Sequence, residues 1–217
     1  MKIVIICLMA LSINMSLSSA QDYLSPSDLI LSPNKETLHV LASTGKQLID
    51  FDLIEQKILR SLELPAEPTD MVMSGDGETL YIAGGGPQGR IWIAKSGALV
   101  GEIKTGHTPM SPIVSPDGKR LYVCNRFDND VSVIDLESGE TIARVAVLRE
   151  PIAAAITPDG KRLFVANHIP DGRSDVEYVA SKVSVINTET QEVKTIPLVT
   201  GAEGMRGMEI SPDGKKV

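Results

Sequence analysis

Aromatic side chains are scarce, at 4% of 217 residues with a single Trp. A large core built on ring stacking is therefore excluded, and apolar burial must come from aliphatic side chains. Cysteine is rarer still: Cys7 and Cys124 are the two in the chain. No basic cluster interrupts an acidic composition of 21 Lys and Arg against 28 Asp and Glu, net −7. A phosphate backbone wants a basic face, so no nucleic-acid partner is expected. No segment shows sustained helical periodicity with caps, which speaks against a helical domain. No interdomain linker or low-complexity tract divides the chain. What is plentiful is Val, Ile, Leu, Gly and Pro, a mixture suited to many short strands joined by tight turns. The length suffices for one domain with a sizeable core.

The first 20 residues differ from the rest. Lys2 precedes the apolar run from Ile3 to Leu11, and Ser18-Ser19-Ala20 supplies small residues before Gln21. That pattern predicts a secretory signal cut after Ala20 and an exported chain: periplasmic, extracellular or at the cell surface. The alternative is an anchor that is retained, although the run is short for a bilayer. Cys7 lies inside this segment, so the mature chain would carry Cys124 alone and no intramolecular disulfide. Loss of Lys2 leaves 20 basic and 28 acidic residues, net −8. No later segment is long and apolar enough to span a membrane, so no transmembrane segment is expected after cleavage.

From Pro26 onward a unit repeats. Its turn tetrads are Ser32-Pro33-Asn34-Lys35, Ser74-Gly75-Asp76-Gly77, Ser115-Pro116-Asp117-Gly118, Thr157-Pro158-Asp159-Gly160 and Ser211-Pro212-Asp213-Gly214, spaced 42, 41, 42 and 54 residues apart. Six residues before each tetrad stand Pro26, Pro68, Pro109, Pro151 and Met205. Two markers in one register at a period near 40 predict a β-propeller of four-stranded antiparallel blades. Pro presets the first corner of each turn, Asp bonds its own backbone and Gly accepts positive φ. The strand after each tetrad is apolar on both faces (Leu121-Tyr122-Val123-Cys124, for example), as a strand between two neighbouring sheets should be. The expected blades are about 26–67, 68–108, 109–150 and 151–204, with a fifth begun over 205–217. Four full repeats and the start of a fifth imply an incomplete ring, with a closed four-bladed ring as the alternative. An open arc exposes an unpaired blade face and invites self-association through that edge. Within the register, His39, Cys124 and Trp92 take packing slots.

The stretches SPDGKRLYVCN…VSVIDLESGETIARV and TPDGKRLFVAN…VSVINTETQEV resemble the YVTN-type repeat of secreted bacterial and archaeal β-propellers. The resemblance spans residues 26–217. More remotely, the chain resembles lactonase-like propellers and the propeller subunits of quinoprotein amine dehydrogenases. The insertion beginning Asn167-His168-Ile169-Pro170-Asp171-Gly172-Arg173, with Gly204-Met205-Arg206-Gly207, looks like propellers joined to a peroxidase-type c-type cytochrome. No Cys-x-x-Cys-His occurs, so the resemblance implies no cofactor in this chain and places any haem in a domain downstream. Fold alone does not fix function.

Propeller topology gathers the second-to-third-strand loops and the blade-to-blade connections at one end, around the channel mouth, and loops on a rigid scaffold carry binding groups. Candidate binding residues on that face are His107, Arg126, His168, Asp171, Arg173 and Arg206. Arg206 shares a slot with Ser27, Thr69, Met110 and Ile152; it could hold a carboxylate of a partner or pair with Glu203 or Glu150. His107 and His168, with Asp128 or Asp171, could make a metal site, but no ligand spacing supports one. Gly84-Gly85-Gly86 reads as a turn, without the following helix of a phosphate loop. Asn125 and Asn167 end equivalent strands as turn formers. No catalytic constellation can be recognised. The expected function is a binding scaffold for a protein or glycan ligand on the channel face, with a haem-protein propeller module or a lactonase-like hydrolase as alternatives.

Overall fold

The computed structural model describes residues 24–170 and 179–217. The signal, Asp171 and Arg173 lie outside the described residues. Sixteen strands form four antiparallel sheets, each made of four consecutive strands. Blade one contains β1 (Pro26–Leu31), β2 (Thr37–Ala42), β3 (Gln47–Asp52) and β4 (Lys57–Glu63). Blade two contains β5 (Pro68–Met73), β6 (Thr79–Gly84), β7 (Arg90–Lys95) and β8 (Ala98–Lys104). Blade three contains β9 (Pro109–Val114), β10 (Arg120–Asn125), β11 (Asp130–Asp135) and β12 (Glu140–Ala146). Blade four contains β13 (Pro151–Ile156), β14 (Arg162–Asn167), β15 (Lys182–Asn187) and β16 (Val193–Pro197).

The period-2 alternation of a strand distributes each blade between two cores. Leu121 and Val123 pack with Ala83 and Ile91 of blade two, while Tyr122 and Cys124 pack with Leu163 and Val165 of blade four. A third cluster joins Leu41 and Leu48 of blade one to Ile82 and Trp92 of blade two. Four blades therefore share three cores, and among the described residues no core cluster joins blade four to blade one. A closed four-bladed ring would need a fourth. The blades form an arc.

Two ladders hold neighbouring blades together at their ends. On the turn side, each tetrad proline meets the tetrad glycine of the next blade. A β-carbon built on Gly77 would lie 2.4 Å from the Pro33 ring, one on Gly160 3.4 Å from Pro116, and one on Gly214 3.0 Å from Pro158. The exception is Gly118, which has open space, because Gly75 replaces the proline that would reach it. Inside each turn the leading hydroxyl does more than its residue type suggests. Ser115 Oγ donates to Asp117 Oδ1 and accepts the Arg120 amide at 2.9 Å. Ser211 repeats that pattern with Asp213 and Lys216, although residues 205–210 form no strand. On the channel side, the residue four before each tetrad accepts an amide from the next innermost strand: Asp28 from Met71 (2.9 Å), Asp70 from Ser111 (2.8 Å), Ser111 from Ala154 (3.0 Å). Pro112 has no N–H to give, so Ser111 donates in its place and adopts φ 46° beside a break in the β9–β10 register. Ala153 occupies the slot in blade four and can accept nothing through its side chain.

Candidate binding face at the channel mouth

The strand-end asparagines are not turn formers. Asn125 and Asn167 are both 0% exposed. Asn125 donates to Ser132 Oγ at 2.8 Å and to Asp130, and accepts the Gly106 amide at 2.9 Å. Asn167 donates to Ser184 Oγ at 3.0 Å and the Lys182 carbonyl at 2.7 Å, while its Oδ1 has no partner among the described residues. Both amides tie the loop-bearing ends of two neighbouring strands, and Asn125 also holds the connection from blade two through Gly106. A β-carbon on Gly106 would fall 2.3 Å from Asp128 Oδ2 and Arg144 Nη2 and 2.6 Å from the amide carbon of buried Asn125, so a larger residue there would have to displace those side chains.

On this anchor stands the best-developed cluster of the channel face. The 2–3 loop of blade three lies against the blade two–three connection, with Arg126 N donating to the Thr108 carbonyl and Phe127 N to that of His107. His107 presents its ring edge to Phe127 (centroids 5.1 Å, 90°), and the Arg126 guanidinium sits 4.9 Å from the same ring. Arg126 also makes a two-pronged contact with Glu150 at 3.0 and 2.7 Å. Below, Asp128 accepts the His107 amide at 2.9 Å and pairs with Arg144, which also reaches Asp130 at 3.0 Å. Those two interactions hold the Asp128 carboxyl below the usual carboxylate range. Phe127 stays 49% exposed despite its neighbours.

Of the candidates read from sequence, His107 and Arg126 meet on Phe127. His168 lies apart: its Nδ1 bonds the Met205 carbonyl at 2.8 Å, and its carbonyl accepts from Gly204 and Ser181. Among the described residues His107 and His168 share no partner; the His107 ring bonds Thr108. Arg206 is exposed, with no ion-pair partner among the described residues. The pairing with Glu150 is not made, because Arg126 holds that carboxylate. Gly84–Gly86 is followed by a 3-10 turn, Gly86–Gln88, not an α-helix.

Sequence reasoning also missed a network at the opposite end. His39, read as a packing residue, bonds Asp50 at 2.6 Å, and Asp50 also pairs with Arg60. Burial alone would raise the Asp50 carboxyl, but those two partners outweigh it and hold it low. Arg60 then crosses to the Ser96 carbonyl of blade two at 3.0 Å. His39 does occupy the aromatic slot of its strand, yet its ring works as a hydrogen-bonding group.

Comparison with solved structures gives a match to hydrazine synthase of Kuenenia stuttgartiensis, with a TM-score of 0.79 at 23% identity. The fold is a β-propeller. The alignment covers 93% of this chain and 56% of that one, so the chain spans about half the length of its structural relative. Identity this low carries the fold and nothing further. No family model and no curated protein matches the chain.

Proposed function

We propose that this chain is an exported propeller of the YVTN-repeat type that binds a protein ligand on its channel face, on the platform of Phe127, Arg126 and His107. The observation that carries the reading is Phe127. An exposed aromatic ring is held in place by an aromatic edge and a guanidinium, on a loop tied down by Asn125 and Asp128. Aromatic and Arg side chains presented rigidly carry most of the energy in protein interfaces, because little conformational entropy is lost on contact. The test is selection of peptide-display and glycan-array ligands on the wild-type chain, followed by titration of Phe127→Ala and Arg126→Ala. Peptide ligands weakened at least about tenfold by Phe127→Ala are expected, in line with a central aromatic anchor. Ligands that are all glycans, or peptides indifferent to Phe127→Ala, overturn the reading. A second reading, a surface that seats a haem-bearing domain, draws on Arg206 as an exposed cation without an ion-pair partner among the described residues. Electron delivery in a haem-containing full-length protein would then fall on Arg206→Glu, and unchanged delivery removes it.

A further inference from the structure

The channel face also holds an apolar cleft of about 440 Å³ beside the Phe127 platform, and blade two creates it. In blades one and three, the residue after the second strand reaches the residue before the next blade's proline. Ser43 donates to Glu67 at 2.7 Å, and Arg126 pairs with Glu150. Blade two has Gly85 and Thr108 in those slots. Gly85 (φ 88°) and Gly86 (φ 56°) run in conformations that L side chains rarely adopt, and no side chain fills the space. Ala66, Pro68 and Met110 form the apolar part of the lining, and Glu67 is its one charged group. Glu67 Oε1 is taken by Ser43, while Oε2 has no partner among the described residues. Thr108, whose hydroxyl bonds the His107 ring at 2.9 Å, joins cleft and platform.

An apolar recess with a single carboxylate at its edge, on a chain of net charge −7, complements one chemistry: an aliphatic stem ending in a cation. We infer that the cleft takes a lysine side chain of the protein ligand, its methylenes against Ala66, Pro68 and Met110 and its ammonium at Glu67. The inference rests on the protein-ligand reading above. A neutral side chain of the same length would bury the same stem but leave the carboxylate unmatched. An acidic one would be repelled.

The test uses the full chain carrying ¹³C-methyl methionine, with the Met110 methyl resonance assigned by Met110→Leu. N-acetyl-lysine methylamide, its norleucine counterpart and hexanoate are titrated separately. The Met110 methyl should shift saturably with the lysine probe and about fivefold more weakly with norleucine, the value of one solvent-facing ion pair. Hexanoate should not bind. Glu67→Gln should remove the lysine preference while leaving norleucine binding in place. Equal affinity for lysine and norleucine, indifference to Glu67→Gln, or a Met110 methyl that never moves overturns the inference. If peptide selection fails while the lysine probe behaves as stated, the protein-ligand reading falls and the amine specificity of the cleft stands.

Discussion

Replacing Gly75 by proline should stabilise the propeller. At the other tetrads proline fills this position, and where it is followed by a described turn its ring packs on the glycine of that turn. Between blades two and three the ring is missing, Gly118 faces open space, and a groove of about 450 Å³ opens there, lined by Gly75, Tyr81, Pro116 and Gly118 among others. Gly75 does not have positive φ, and no turn hydrogen bond uses its amide. The Gly77 amide closes this turn onto Ser74 as the Gly118 amide closes onto Ser115 in a proline-bearing turn, so the position should accept proline. Two effects add. Restricting the unfolded chain contributes about 0.4–1 kcal/mol. Covering one ring methylene against Gly118 contributes about 0.8 kcal/mol more. The total is about 1–2 kcal/mol, a rise of roughly 4 °C in midpoint for a chain of this size.

The assay is thermal and urea unfolding followed by far-UV circular dichroism, with Pro33→Gly as the mirror experiment. Pro33→Gly removes the ring that sits over Gly77 and should lower stability by a similar amount. The reasoning fails if Gly75→Pro leaves both midpoints unchanged or lowers them while Pro33→Gly behaves as stated. The prolines would then serve their own turns and not the blade next door.

Asn125→Ala strips partners from the Gly106 amide, Asp130 and Ser132 at once and should cost about 2–3 kcal/mol in urea unfolding, the penalty of buried groups left unpaired; Asn167→Ala should cost less, because among the described residues its Oδ1 has no partner to lose. Asp70 is pushed above the usual carboxylate range by burial and by the charge of Asp28, against the pull of the Ser111 amide. Its contribution is therefore lost as pH rises through its folded pKa, so Asp70→Asn, which keeps an acceptor for Ser111, should raise the melting temperature at pH 7 and give no gain in acid. A gain that persists in acid would refute the charge argument. Burial pushes the Cys124 thiol up, so thiol reagents should label Cys124 only as the chain unfolds, and fast native labelling would contradict its place in the core. A β-carbon on Gly84 would fall 2.7 Å from Trp92 but also 2.6 Å from the Glu67 carbonyl. Gly84→Ala should therefore remain destabilising by urea unfolding even in a Trp92→Ala background, and full rescue there would show that Trp92 is the whole obstacle.

The architecture was legible because its markers are local. A Pro-Asp-Gly turn imposes its shape wherever it stands, and three of them in one register with two variant tetrads place the strands between them. Cys124 and Trp92 were read correctly by slot, as buried side chains 1% and 2% exposed. The polar contacts were less visible, since each joins positions distant in sequence. His39 and Asp50 face each other across β2 and β3, and Asp50 faces Arg60 across β3 and β4. Cross-strand register worked out from the turn lengths would have paired them. The two Asn–Ser contacts carried a similar but diagonal signal: Ser132 faces Val123 and Ser184 faces Val165, each two residues before the strand-end Asn. The platform at Phe127 could not be read this way. It depends on how a connection from blade two folds over a loop of blade three, and no repeat marker specifies that.

Blade two is where the repeat is broken most often, and its departures form one physical set. Asn becomes Gly84 and the diagonally placed Ser of the next strand becomes Trp92, so the space of a hydrogen-bonded pair is filled by an indole. Filling it from the core side lets the connection at Glu67 and Pro68 close onto Gly84, where a β-carbon would have held it off. With Gly85 and Gly86 bare beside that connection, the rim carries a recess in place of a side-chain clamp. At the other end of the same blade, Gly75 omits the proline that would cover the next turn. Interface two–three thus loses its contact on the turn side but keeps the Asp70–Ser111 bond on the channel side. Because one end stays tied, the missing ring opens a groove and not a gap between blades. The cleft at the mouth keeps rigid walls for the same reason.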